Sequence, residues 1–411
     1  MLKTVIAPDI LLPKDDINLS KWAVIACDQF TGRLNYWEGL RSFVQDSPST
    51  LHLTLPEIYL AADNCESIKN INNYMKDYLN KNIFKTLKDT IVLIDRRTSY
   101  KNQRLGLVLA VDLEDYSYKP LDKALIRATE GTILERIPPR VKIRENAPIE
   151  LSHIMLLIDD RKDFIIEKLY EDKDKLEKIY DFELNTNGGT ICGYKVKDNL
   201  GLILQFEKLL EEQKLIEKYG TNDKMLFAVG DGNHSLATAK TCWENIKKNL
   251  TDKEKENHPA RFALCEVVNI HSKGLKFEPI HRLIKNADND KLFKNISFEF
   301  SKFENPAEVF IGKDSRTINL PSNTAESYLA VQNFIDKFIK ENGGEVDYIH
   351  GRDELKDICE NENGFGIVMP KLKKDELFSY IIKYGPLPRK TFSMGEALEK
   401  RYYLEARKIS L

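Results

Sequence analysis

An acid, an amide, an imidazole and a hydroxyl lie close together in Phe227-Ala-Val-Gly-Asp231-Gly-Asn-His-Ser235. The apolar residues before Gly230 read as a buried strand and those after Ser235 as a helix, so Gly230 and Gly232 mark an abrupt turn. A helix N-terminus at the carboxyl end of a strand presents N–H groups and the positive end of its dipole, a setting that suits phosphate. Asp231 fits two tasks there. It can hold a divalent metal carried by phosphate, or draw the proton from an acceptor hydroxyl as a phosphoryl group arrives. His234 is the second catalytic candidate, and Gly230, Gly232, Asn233 and Ser235 are the phosphate-contacting ones. The same residues have plain structural uses: Asn233 is a good helix cap, Asp231 can bond the turn, and His234 can be an ordinary first-turn residue.

Gly230-Asp-Gly-Asn-His-Ser235 superficially fits the dinucleotide fingerprint G-x-G-x-x-G. Asp231 would then sit against the pyrophosphate, and no clean βαβ start precedes the turn, so that reading fails. No Walker motif is present. A second informative run holds Arg127, Glu130, Thr132, Arg136, Arg140, Lys142 and Arg144. If its cations share one face they suit oxyanions, because the guanidinium fork pairs with phosphate in bidentate fashion. The competing arrangement is a solvated surface with ion pairs to Glu130, Glu135 and Glu145. His281-Arg282, just after a strand, and Lys390 on a Pro-fixed loop complete the basic candidates, while Asp28 and Glu266 are acids at or within apolar strands. A carboxylate such as Glu266 in that setting is costly unless paired, functional or solvent-facing.

The elements that position these residues alternate. Leu51–Leu55 alternates like a strand, Ser67–Leu87 has helical spacing, and Thr90–Ile94 with Leu105–Val111 form an adjacent strand pair. Residues 120 to 135 read as a helix started by Pro120, and Pro138 and Pro139 make the arginine-rich run a loop. Residues 162 to 180 and Leu200–Tyr219 read as amphipathic helices, the latter capped by Gly220, with a hairpin over Phe182–Tyr194 between them. Later come strands at Ile296–Phe303 and Arg316–Leu320, a β-α-β-α run from Val346 to Tyr384, and a last helix from about 395. The pattern predicts an α/β (mixed α+β) protein, a mixed sheet flanked by helices. Its main domain spans 1–285, and a smaller C-terminal α/β subdomain spans 286–411 with a tail that returns to the main domain.

A chain of 411 residues with 42% hydrophobic and 31% charged residues and a net charge of −2 has the balance of an ordinary water-soluble protein with more than one core. That balance disfavours a nucleic-acid partner. No stretch reaches the apolar length of a membrane span, and the N-terminus does not read as a leader. The scattered cysteines suggest neither zinc nor a disulfide framework, so a cytoplasmic setting is expected. Oligomeric state stays open.

Taken in order, these pieces resemble the bacterial and archaeal family catalogued as domain of unknown function 1015. Its A-D-G-H-H-R-like turn corresponds to Val229-Gly-Asp231-Gly-Asn-His-Ser235, with Asn233 in place of His and Ser235 in place of Arg. Arg127-Ala-Thr-Glu130-Gly-Thr132 is similar to R-H-E-x-T, Arg144 with Asn146-Ala-Pro-Ile149 to its R…a-n-x-S-P-I run, Gly274-Leu275 through His281-Arg282 to G-L…P-T-H-R, and Leu387-Pro-Arg-Lys390-Thr to P-x-K-S-T. At motif level the turn also resembles that of ParB/sulfiredoxin-like kinases that phosphorylate free serine with ADP or ATP. The resemblance implies Mg²⁺ and ATP or ADP as cofactors, a small-molecule ligand, and a small-molecule kinase acting on a free amino acid such as serine. Asp231 would be the metal or acceptor-proton partner, and Arg136, Arg140 or Arg144 would supply the charge of the missing arginine. The alternative is a non-catalytic sensor of a phosphorylated or acidic metabolite.

Overall fold

The protein is described by a computed structural model covering residues 2–26, 30, 33–56, 65–100 and 102–411. Asp28 lies outside the described residues. Contacts divide the chain into two compact units. The first is Met1–Ala128, Thr132–Leu275 and Glu396–Leu411, and the second is Thr129–Gly131 with Lys276–Gly395.

The first unit is built on a ten-stranded mixed sheet. Its order is Glu177–Leu184, Gly189–Lys195, Val92–Arg97, Gln103–Asp112, Phe262–Asn269, Ile154–Ile158, Phe227–Asp231, Ile126–Ala128 and Tyr116–Ser117, with Val5–Ile6 also paired to Gln103–Asp112. The first five strands pair antiparallel. Phe262–Asn269 then runs parallel to Ile154–Ile158, and Phe227–Asp231 is antiparallel to Ile154–Ile158 but parallel to Ile126–Ala128. Alternate residues serve opposite faces. Leu107, Leu109 and Val111 enter one core with Phe227, Val229 and Trp243, whereas Val92, Ile94 and Val108 enter another with Trp22, Trp37 and Tyr402. Burial on both faces explains the near-continuous apolar reading of the central strands. A four-stranded antiparallel sheet, in the order Phe84–Leu87, Ile10–Pro13, Ala406–Lys408, Ile149–Leu151, completes the unit.

Glu266 does not face solvent. It is fully buried, with Arg104 Nε 3.4 Å and Arg401 Nε 2.9 Å from its carboxylate oxygens. Burial pushes its pKa up, but Arg104, Arg401 and Arg96 outweigh burial and hold the carboxyl below its ordinary value.

The second unit is an antiparallel sheet in the order Asp314–Leu320, Asn305–Ile311, Phe365–Ile367, Phe277–Lys285, Glu345–His350, with Phe392–Met394 also on Phe277–Lys285. Helices Asn289–Glu299, Thr324–Asn342, Arg352–Glu362 and Lys374–Tyr384 belong to it. Ile284, Ile296, Tyr328, Ile335 and Phe365 form its core.

Several elements differ from the sequence reading. Thr50–Leu53 is a 3-10 turn, started by the Ser49 hydroxyl accepting from Leu51 N. Residues 120 to 135 are not one helix: Leu121 takes a positive φ of 64°, Ile126–Ala128 joins the sheet, and only a short 3-10 turn, Leu134–Arg136, falls at the end of the range. The last part of the arginine-rich run is a helix, Ile137–Arg144, because Pro138 and Pro139 fall in its first turn, where no carbonyl awaits their missing N–H. Asn289–Glu299 replaces the strand expected at 296–303; Asp288 caps it, and Leu292 and Ile296 supply its buried face. Residues 162–180 divide into helix Ile166–Glu171 and the start of a strand, 200–219 into helices Asn199–Leu209 and Glu212–Tyr219, and the tail ends in strand Ala406–Lys408. Among the described residues no helix is long and apolar enough to cross a membrane.

Candidate functional site

Strand Phe227–Asp231 is pinned by three fully buried side chains, Phe227, Ala228 and Val229, and loses its register against Ile154–Ile158 between Val229 and Asp231. That irregularity frees the strand end for a turn. Asp231 Oδ1 accepts from Gly232 N at 2.8 Å, and Gly232 takes φ 82° and ψ 27°, a left-handed conformation natural to glycine. Helix Asn233–Ile246 follows with Gly232, not Asn233, as its N-cap, and buries Leu236, Ala237, Ala239 and Trp243. The Asn233 side-chain amide points back to the Val229 carbonyl at 3.5 Å.

Three contacts set the chemistry of this turn. Lys400 Nζ lies 3.1 Å from Asp231 Oδ2, a nearly buried ammonium on a carboxylate 37% exposed. Ile133 N donates to His234 Nε2 at 3.3 Å. An amide N–H only donates, so that ring nitrogen is an acceptor and the proton of a neutral ring is on Nδ1. His153 Nε2 is 2.7 Å from Ser235 Oγ, and the His153 ring stacks on Tyr403 at 4.8 Å and 16°. Burial is the main cause that lowers the pKa of His153, with Asp231 among the groups pulling the other way.

Arg127 and Arg144, the two ends of the 127–144 run, are committed to carboxylates elsewhere in the first unit. Arg127 Nη2 donates to Asp223 Oδ1 at 2.6 Å and its Nε to the Ala124 carbonyl at 2.8 Å. Arg144 Nη2 donates to Glu150 Oε2 at 2.6 Å, and Arg407 Nε reaches Glu150 Oε1 at 2.8 Å. Burial raises the Glu150 pKa, yet Arg144 and Arg407 outweigh it and keep the carboxyl below its ordinary value. Arg140 Nη1 bonds the Arg136 carbonyl at 3.0 Å, and Arg136 is exposed. The pairs therefore form with Asp223 and Glu150 and secure the helix and strand on which these arginines sit. Thr132 Oγ1 is buried with no hydrogen-bond partner among the described residues.

Glu130, His281, Arg282 and Lys390 fall in the second unit. Thr129–Gly131 bridges Leu387: Leu387 N donates to Thr129 O at 2.7 Å and Gly131 N to Leu387 O at 3.2 Å. Lys390, at φ 56°, sends its N–H to Glu130 Oε2 at 3.4 Å. Arg282 is fully buried and props the same loop. Its Nη1 donates to the carbonyls of Ile280 and Lys390, both at 2.8 Å, its Nε donates to Gln332 at 3.1 Å, and its guanidinium lies over Tyr348 at 4.8 Å. His281 Nδ1 accepts from Met369 N at 3.0 Å. Arg282 thus holds the Pro388–Thr391 loop from inside, Glu130 braces its backbone, and His281 ties instead to Met369, two residues past strand Phe365–Ile367.

Among the described residues no group of three His, Cys, Asp or Glu side chains is placed to hold a metal ion. Lys400 and His153 had no sequence signal. Lys400 lies far downstream in the tail, and His153 stands just before the apolar strand Ile154–Ile158, where a single polar residue is unremarkable.

The fold and the turn together define a class: a mixed α/β protein with an acid–imidazole strand–turn–helix. The chain belongs to the family described as Protein of unknown function (DUF1015), which it matches over residues 10–395. Among solved structures it is similar to a free serine kinase in complex with AMP, at 11% identity and TM-score 0.38 over 74% of this chain and 92% of the other. A variant of a free serine kinase in complex with ADP gives 10% and 0.40 over 74% and 92%. A conserved hypothetical protein from Pyrococcus furiosus gives 11% and 0.36 over 74% and 95%. No curated protein matches the chain.

Proposed function

We propose that this protein is a nucleotide-dependent phosphoryl-transfer enzyme acting on a small molecule, with a free amino acid such as serine as acceptor. One observation carries the reading: a left-handed Gly232 between Asp231 and a helix start, with His234 held in one tautomer, at the carboxyl end of a buried strand. The backbone N–H groups and dipole of helix Asn233–Ile246 receive phosphate oxygens, and Gly230, Gly232, Asn233 and Ser235 shape that approach. Asp231 takes the acceptor proton or holds the Mg²⁺ of a nucleotide complex, an ion that neutralises phosphate charge. Lys400, already on Asp231, offers a cation beside a turn that has Ser235 where the family pattern has arginine. The acceptor class follows from the motif likeness of Asp231-Gly-Asn-His234 to the turn of free serine kinases.

The test is incubation with ATP or ADP, Mg²⁺ and a panel of amino acids, read by ³¹P NMR and mass spectrometry. A phosphorylated amino acid is expected, with turnover in Asp231→Ala reduced at least ~100-fold, the scale of a lost acid–base group. No product, together with no nucleotide-induced rise in melting temperature, would overturn the reading. The Lys400–Asp231 pair favours a second one, a sensor of a phosphorylated metabolite, because it neutralises the acid in the resting protein. A melting shift with nucleotide but no product decides for the sensor.

A further inference from the structure

The His153–Ser235 pair has a chemistry of its own, beyond the part Ser235 takes in shaping the phosphate approach. His153 precedes strand Ile154–Ile158, and Ser235 stands in the first turn of helix Asn233–Ile246, so two different elements of the sheet layer bring them to 2.7 Å. The proton positions follow from the partners. His153 Nδ1 is 3.3 Å from the Leu151 carbonyl, which can only accept, so Nδ1 carries the hydrogen. In the neutral ring Nε2 then holds a lone pair, and Ser235 Oγ–H donates to it. The stack on Tyr403 fixes the plane of the imidazole. A hydroxyl, a base oriented at it, and an acceptor fixing the tautomer of that base are the three parts of an activated serine. Here a backbone carbonyl does the work that a carboxylate does in other such sites. Both residues are half-buried, so the pair is neither sealed in a core nor freely solvated.

We infer that Ser235 is a nucleophile and His153 its general base, forming a second activity directed at activated carboxylic esters. Ser235 Oγ attacks the ester carbonyl carbon, and the C–O bond forms as the hydroxyl proton passes to His153 Nε2. The tetrahedral intermediate collapses with cleavage of the bond to the leaving alcohol, which takes that proton. Water then attacks the acyl-serine, gives a proton to Nε2, and releases the acid while Ser235 regains its hydrogen. The negative charge on the carbonyl oxygen develops in the first turn of the helix, where the dipole favours it, and Lys400 offsets the acid next to that turn.

The experiment uses the full chain without nucleotide or Mg²⁺, so its failure leaves the kinase reading untouched. A fluorophosphonate probe is added; attack by Ser235 forms a P–O bond, breaks the P–F bond and releases fluoride, and the proton goes to His153. Mass spectrometry is expected to place one adduct on Ser235, absent from Ser235→Ala, with labelling of His153→Gln slower by at least ~100-fold. The labelling rate of the wild type should be flat above pH 7 and fall through a single inflection below 6.5 as His153 protonates. Because His153 also packs on Tyr403, that wild-type profile carries the test if the variant does not fold. p-Nitrophenyl acetate should show a burst that Ser235→Ala lacks. Absence of the Ser235 adduct, equal labelling in a folded His153→Gln, or a rate rising tenfold per pH unit from 7 to 9, as for an unassisted hydroxyl, overturns the inference.

Discussion

His281 and Arg282 are neighbours in one strand and meet burial in opposite ways. Arg282 stays charged because carbonyl oxygens, Gln332 and the faces of two tyrosines replace its water. His281 instead accepts the Met369 N–H and is neutral, and burial first, with Arg282, His350 and Arg352 adding like charge, lowers its pKa to about 4 from 6.5. Between those two values the unfolded chain binds a proton that the folded chain refuses. Stability from this residue is therefore present above pH 6.5 and lost as pH falls toward 4. A shift of that size is worth about 3 kcal/mol at most. The fall in melting temperature between pH 7 and 4 should be several degrees smaller in His281→Gln, whose side-chain oxygen can still accept from Met369. Parallel curves for the two proteins would remove His281 as the source.

The turn is the element on which the proposed chemistry depends, and Gly232 is its least replaceable part. At φ 82° a Cβ would lie 3.1 Å from Ile154 Cγ1 and 3.2 Å from Ile154 Cα, so Gly232→Ala meets both backbone strain and a neighbouring strand. Its expected cost is about 1–3 kcal/mol in urea denaturation, along with loss of any nucleotide-induced melting shift. Gly39 is the contrast. It is exposed inside helix Leu34–Val44 with nothing within 4 Å of a Cβ, and Gly39→Ala should stabilise by about 0.4–1 kcal/mol. Equal effects at the two positions would contradict the conformational argument. This strand–turn–helix was legible because two glycines interrupt an apolar run, as was the Val92–Arg97 and Gln103–Asp112 pair. Helix Ile137–Arg144 was not, because two prolines signal a break or a first turn equally well until the flanking chain is placed. The partners of Arg127 and Arg144 were hidden for another reason. An ion pair to Asp223 across 96 residues is fixed by sheet order, and local sequence carries no trace of it.

At the scale of the whole chain, the family match stops at residue 395, yet the first unit is not finished there. The tail from Glu396 supplies Ala406–Lys408 as an inner strand between Ile10–Pro13 and Ile149–Leu151, and places Tyr402, Leu404 and Ala406 in the core. Trp22 Nε1 donates to the Leu404 carbonyl at 2.8 Å, and Tyr403 N to the Val24 carbonyl at 2.8 Å, so the first and last segments close on each other. The tail also balances buried charge. Without it Glu266 loses Arg401, Glu150 loses Arg407, and Arg96 loses the carbonyls of Leu398, Glu399 and Lys400. Breaking one buried pair costs about 3–5 kcal/mol, against a total stability of about 5–15 kcal/mol for a folded domain. A chain ending at Gly395 should therefore lack near-ultraviolet circular dichroism from Trp22 and Trp37 and bind anilinonaphthalene sulfonate, as expected when collapse survives without fixed packing. Removing only Ser410 and Leu411, both exposed, should leave the melting temperature within about 2 °C of wild type. A cooperative wild-type transition in the chain that ends at Gly395 would mean that the match boundary is also a folding boundary, and that the tail contributes packing without closing the unit.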